Sequence, residues 1–286
     1  MVFELAKPKL SYSMSSNAID RLRIFLNDSR NSQTRERMFF NRLYFDLKLA
    51  AAIRGYALSI FEPEVDREGY DIVVDDHDTE RRFQLKTFTS SSGTSEWAVT
   101  KRFLLPPIPD NTVLGFETSP EGVGLGGGII VTKIDDSGLD CSVSYLYTDL
   151  YLINALQSGL VQSKQSVRRT RILKWCREFY TALHKTKHHG KVKLRKSLFV
   201  EVKSADALLA IAGFHCAIGA RSPGCYRWWD HYLDALKLHF QIGSDGYPIE
   251  EKEAAAQAHV AAQMLLSVIG TKQFDPFASR RPIGTV

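Results

Sequence analysis

The chain is poor in cysteine, with four in 286 residues, and no two of them form a CxxC pair. Cys141, Cys176, Cys216 and Cys225 lie too far apart for a zinc ribbon or a disulfide framework, which suits a reducing, cytoplasmic setting. Long apolar runs are missing as well. The longest, Ala207 to Ala220, is broken by His215 and falls short of the roughly 18 residues a bilayer-spanning helix needs, so no membrane partner is expected. The opening Met-Val-Phe-Glu-Leu-Ala-Lys lacks the basic start and apolar stretch of a secretory signal. No internal repeat is visible. At 44% hydrophobic and 24% charged the composition excludes disordered and fibrous classes, and the length suits one large or two small domains.

Acids are nearly absent from one segment. Between Val161 and Val200 a single acid, Glu178, accompanies twelve Lys and Arg residues; that segment alone is +11 in a chain of net charge +5, so the remainder sums to −6. A solvated Lys-rich helical face is the bland alternative. Charge of this density favours a polyanion, and nucleic acid above all, because cations on a phosphate backbone release condensed counterions. Arg168, Arg169, Arg171, Lys174, Lys185, Lys187, Lys191, Lys193, Arg195 and Lys196 are the candidates for phosphate contact.

Along the chain, residues 1–15 read as irregular, and Ser16-Asn17 begins a short helix that ends at Asn27-Asp28-Ser29. A second helix is expected from Ser32 to Arg54, stopped by Gly55. Tyr56–Phe61, Gly69–Asp75 and Arg81–Phe88 read as strands, with the turn residues Asp75 to Thr79 closing a hairpin between the last two. Trp97–Leu105 reads as an amphipathic stretch ahead of a Pro-rich break, and Thr112–Glu117 and Gly128–Ile134 as further strands. Asp149–Leu160 and almost everything after Gln165 carry helical periodicity, strongest in Thr170–Leu183, Ala205–Ala217, Tyr226–Phe240 and Glu250–Ile269. The expectation is an α/β first half and a mainly helical second half. The last helix has a wide apolar face suited to packing or to a homodimer, and Thr271–Val286 reads as a loose tail.

Four residues carry the chemistry. On the second helix Phe40, Leu43, Leu47 and Ala50 form an apolar stripe, and Glu36 lies in line with it rather than on the wet face; Asp46 falls at its edge. A carboxylate turned inward is costly unless it is paired, neutralised or bound to a cation, although a first-turn acid also suits the helix dipole. In the hairpin, a turn centred on His77-Asp78 pairs positions that sum to 155. Asp71 then faces Gln84, with Lys86 a diagonal neighbour, on strands otherwise rich in Ile, Val, Phe and Leu. A polar outward face is the ordinary alternative. A carboxylate, an amide oxygen and an ammonium brought together suit a hard, oxygen-seeking cation such as Mg²⁺, with the lysine serving a water or a developing charge.

Glu36 on a helix, then Gly69-Tyr70-Asp71-Ile72-Val73-Val74, then Phe83-Gln84-Leu85-Lys86-Thr87 resemble the PD-(D/E)xK, or restriction-endonuclease-like, nucleases, in the branch with a GxD…QxK site. The resemblance covers roughly Ser32 to Thr87. It implies a mixed central sheet flanked by helices, expected as a nuclease-like α/β domain over residues 1–160, and the charge and helical periodicity beyond it set off a basic, mainly helical domain over 161–286. Asp71 would be the metal-binding aspartate and Gln84 would stand where the second acid usually stands. Lys86 would be the motif lysine and Glu36 the additional helix acid, with the Leu85 backbone carbonyl completing the metal set. The implied cofactor is Mg²⁺ or Mn²⁺. The implied activity is a DNA endonuclease of restriction or antiviral-defence type acting on double-stranded DNA. The glutamine departs from the usual acid and removes a negative charge, which favours one metal over two. Rival readings are a non-catalytic nucleic-acid-binding or scaffold protein on a degenerate nuclease fold, an RNase and a junction-resolving nuclease.

Other signals read as structure. The Gly122–Gly127 run precedes a strand rather than a helix, so it is a turn and not a dinucleotide loop. His184, His188, His189 and Cys176 lack the paired spacing of a zinc motif. Tyr226, Trp228, Trp229 and Tyr232 sit at core-like helical spacing.

Overall fold

The structure, a computed structural model, describes residues 16–64, 69–107, 113–115, 124–161, 169–214, 227–245 and 248–269. The amphipathic helix α1 (Ser16–Asn27) lays Leu22, Phe25 and Leu26 against Phe39 and Ile134. One 3-10 turn later, capped by the Asp28 carboxylate on the Arg30 N–H, α2 (Ser32–Arg54) begins. Its bounds are those the periodicity predicts. It stops because Gly55, at φ 79°, takes the left-handed conformation that costs glycine nothing and turns its N–H back to the Ala51 and Ala52 carbonyls. The face it buries is Phe39, Leu43, Leu47, Ala50 and Ala51.

A mixed six-stranded sheet forms the centre. Its strands are β1 (Ser59–Phe61), β2 (Ile72–Asp75), β3 (Glu80–Thr89), β5 (Gly128–Ile134), β6 (Val143–Thr148) and β8 (Val200–Val202), in the order β1-β2-β3-β5-β6-β8. Only the β3–β5 pair is parallel. A separate two-stranded antiparallel ribbon joins β4 (Glu96–Thr100) to β7 (Lys191–Arg195). The helices are completed by the single turn α3 (Lys101–Leu104), α4 (Leu150–Ser158), α5 (Arg169–Lys185), α6 (Ala205–Ile211), α7 (Trp228–Asp245) and α8 (Pro248–Ile269). The described residues thus form an α/β fold with a helical C-terminal region.

Alternation along the strands sorts the two faces of the sheet. Arg81, Phe83, Tyr145 and Tyr147 share one face. There the Tyr145 hydroxyl donates to Asp46 of α2 (2.7 Å), and Phe83 packs on Phe214 at 5.9 Å. Gln84, Lys86, Phe88 and Thr148 share the other face, where Phe88 meets Trp97 of the ribbon at 5.8 Å and the Thr148 hydroxyl donates to the Leu198 carbonyl.

Several expectations need correcting. Trp97–Leu105 is the strand β4 followed by one helical turn, and in the described part of the expected strand at 112–117 Val113 is helical and Leu114-Gly115 a turn. The region read as helical after Gln165 contains β7 and β8, and α6 stops at Ile211, short of Ala217. Strands β7 and β8 pair with β4 and β6, and one buried cluster runs from Leu43 to Ile269. Ala258, Ala261, Ala262 and Leu265 of α8 are buried in that same cluster. Residues 1–15 and 271–286 lie outside the described residues.

Candidate metal centre

The hairpin has the expected register. Ile72↔Phe83, Val73↔Arg82, Val74↔Arg81 and Asp75↔Glu80 all sum to 155. Asp71 stands one step beyond the paired strand. Its N–H goes to the Phe83 carbonyl (2.8 Å), one residue out of step with the ladder, and its carboxylate accepts the Leu85 N–H at 2.5 Å. The side chain thereby occupies the place where the next backbone acceptor of β2 would stand. In an extended strand one residue's N–H and C=O point to the same side, so the Leu85 carbonyl also faces this end of β2. The Asp71 carboxylate therefore lies against the backbone between Gln84 and Lys86.

Gln84 supplies the most informative atom. Its Oε1 is buried with no hydrogen-bond partner, in a side chain for which no hydrogen bond exists among the described residues. Buried acceptors are normally satisfied, so an orphan of this kind calls for an explanation. Lys86, two residues on and on the same face, is half-buried and makes no ion pair among the described residues. A carboxylate, an amide oxygen and a backbone carbonyl are the donors a hard divalent cation takes, and the orphaned Oε1 fits that set.

Glu36 does not join them. It is exposed, not turned into the interior, and it has no hydrogen-bonding or ion-pairing partner among the described residues. The α2 stripe is real, but at Glu36 the helix has run past the part that packs. Moreover α2 meets the sheet through Tyr145, on the face opposite to Gln84 and Lys86. Asp46 is occupied by Arg42 (2.9 Å) as well as by Tyr145. Among the described residues no three His, Cys, Asp or Glu side chains gather into a metal-binding group.

Most of the described cations of the basic segment lie on the surface. Arg169, Arg171, Lys174 and Lys185 are exposed on α5, and Lys187, Lys191, Lys193 and Arg195 on the segment that follows and on β7. Lys196 is instead half-buried, its ammonium 3.8 Å from the centroid of the Phe88 ring. Arg168 lies outside the described residues.

The signals read as structure behave as such. Gly124 to Gly127 lead into β5, and at Gly127 an added Cβ would stand 2.2 Å from the Phe103 ring, so that glycine serves close packing. Trp228, Trp229 and Tyr232 are buried, and Trp229 stacks on Tyr151 at 5.3 Å; Gly122 and Tyr226 lie outside the described residues. What the sequence reading missed is a buried charge network. Arg81 donates to the Tyr147 hydroxyl (3.0 Å), the Asp149 carboxylate (3.3 Å) and the Gly126 and Ala212 carbonyls (2.7 and 3.0 Å). Burial, with the Asp149 carboxylate alongside, pushes the Tyr147 hydroxyl pKa well above its ordinary value. The inward parity of Arg81 with Phe83 is the signal that could have revealed it. Comparison with protein-family models, with curated proteins and with solved structures gives no match.

Proposed function

We propose that the chain is a divalent-metal-dependent nuclease, a DNA endonuclease of restriction or defence type on a restriction-endonuclease-like core. One observation carries the reading. The Asp71 carboxylate is pinned against the backbone of Leu85, and of the two β3 residues flanking Leu85, Gln84 holds a buried amide oxygen and Lys86 an ammonium, neither with a partner among the described residues. Asp71, Gln84 Oε1 and the Leu85 carbonyl would hold Mg²⁺ or Mn²⁺; Glu36 is left out of that set. When bound, the ion would supply Lewis-acid stabilisation of a phosphoryl oxygen and a more acidic water. The Leu85 N–H fixes the orientation of the carboxylate. Lys86 supplies a positive charge beside it, to orient the water or to balance charge growing on the scissile phosphate. The exposed cations of α5 and β7 hold the substrate backbone.

The test is cleavage of plasmid, linear DNA and RNA in Mg²⁺, Mn²⁺ or EDTA. DNA cleavage that disappears in EDTA, in Asp71→Ala and in Lys86→Ala supports the reading. Wild-type turnover in Asp71→Ala overturns the site, and cleavage of RNA alone makes the protein an RNase. A second reading, a DNA-binding protein on a degenerate nuclease fold, is favoured by the position of Glu36, which leaves one acid at the centre. Binding without cleavage in any metal would establish it.

A further inference from the structure

The ribbon packs its inner side, Trp97, Val99, Val192 and Leu194, onto the protein and turns Lys191, Lys193 and Arg195 outward on β7. Residues two apart on such a strand are about 6.8 Å apart, twice the 3.4 Å charge repeat of one strand of duplex DNA. Arg195 reaches Glu178 of α5 at 3.4 Å, so the ribbon continues into the outer side of that helix, where Lys174, Arg177 and Lys185 line a shallow groove. From Arg169 to Lys196 there are ten cations and one acid. Glu178 and, across the ribbon, Glu96 pair with Lys174, Arg195 and Lys193. Six exposed cations, Arg169, Arg171, Arg177, Lys185, Lys187 and Lys191, have no carboxylate partner among the described residues.

We propose that the outward face of the β4–β7 ribbon, continued by the outer side of α5, is a docking surface for B-form duplex DNA held by its phosphates. The inference deepens the nucleic-acid part of the reading above and does not depend on hydrolysis. Three observations select the partner. None of the large exposed hydrophobic side chains among the described residues lies on β4, β7 or α5, whereas an unpaired strand is held by aromatic faces on which its bases stack. A two-stranded ribbon fits the roughly 12 Å major groove of B-form DNA and not the deep, narrow one of A-form RNA. The ribbon also packs on the sheet face that carries Gln84 and Lys86, through Phe88 against Trp97 and Lys196 over Phe88, which puts the ribbon and the candidate centre on one side of the sheet.

The experiment measures fluorescence anisotropy in EDTA with a labelled DNA duplex, the same strand unpaired and an RNA duplex of the same sequence, across a salt series. The triple variant Arg171→Ala/Arg177→Ala/Lys191→Ala is expected to bind the DNA duplex at least ten-fold more weakly. Its log K against log salt slope should be shallower by about 2.7 for three lost phosphate contacts. Lys191→Glu alone gives the same direction if the triple variant fails to fold, and Lys237→Ala, exposed on α7, binds as wild type. Unchanged duplex affinity in the charge variants overturns the surface, as does absence of duplex binding by the wild type. Equal affinity for the unpaired strand or the RNA duplex overturns the assignment to B-form DNA. DNA cleavage by the wild type alongside unchanged binding in the triple variant sinks the surface alone. Duplex binding lost in the triple variant, with no cleavage in any metal, sinks the hydrolase alone.

Discussion

Gln84→Met isolates the atom on which the metal reading turns. Methionine keeps roughly the length of glutamine and deletes the buried Oε1 that has no partner among the described residues. A buried acceptor left unsatisfied costs about 1–3 kcal/mol. Because the Gln84 side chain is only half-buried, the lower end applies, about 1 kcal/mol. In a chain of this size that raises the unfolding midpoint by about 2–4 °C. In EDTA, therefore, the variant should melt above the wild type. Divalent metal reverses the order. At a hundred times its dissociation constant a ligand stabilises by about 2.7 kcal/mol, which the wild type gains and the variant, short of one donor, largely loses. Thermal melts followed by circular dichroism in EDTA and in MgCl₂ read both effects. Asp71→Asn should lose the magnesium shift without the gain in EDTA. A Gln84→Met midpoint below wild type in EDTA, or an equal magnesium shift in both proteins, refutes the assignment of Oε1 to a metal.

Two further outcomes follow from the interior. Arg81→Ala strips the partner from the buried Asp149 carboxylate and should destabilise by about 3–5 kcal/mol, read as a lower urea midpoint; a loss below 1 kcal/mol would mean that the network carries little. Burial pushes the Cys176 thiol up to about 12, so in the native protein it should resist iodoacetamide at pH 8.5 and label after the partly exposed Cys141, as peptide mass mapping would show. The same shift has a sign for stability. The unfolded thiol ionises near its ordinary value while the folded one stays protonated, so this group's contribution falls as pH rises from about 9 toward 12. The decline should be shallower in Cys176→Ala.

The parts of the fold governed by local chemistry were legible. Helix α2 has a continuous apolar face and a glycine stop, and both bounds follow from those two facts. The hairpin register follows from five turn residues, and with it the approach of Asp71 to β3. What escaped is what depends on distant pairing. The alternation in Lys191–Arg195 has the two-residue period of a strand, but it is five residues long inside a basic run dominated by helix, and its partner lies almost a hundred residues earlier. β8, three residues long, carries no period to read. Glu36 shows the opposite failure. Helical phase tells which residues share a side, not where along its length the helix leaves the sheet, so a correct stripe yielded a wrong burial.

The strand order has a bearing on biosynthesis. The outermost strand on the β6 side, and the partner of β4, are both made after residue 190. Until the ribosome has released that stretch, β6 presents bare main-chain donors and acceptors, a template for pairing with other nascent chains. A shortened product ending near residue 160 would keep Asp71, Gln84 and Lys86 yet expose that flank permanently, and its fate would be precipitation rather than a smaller working protein.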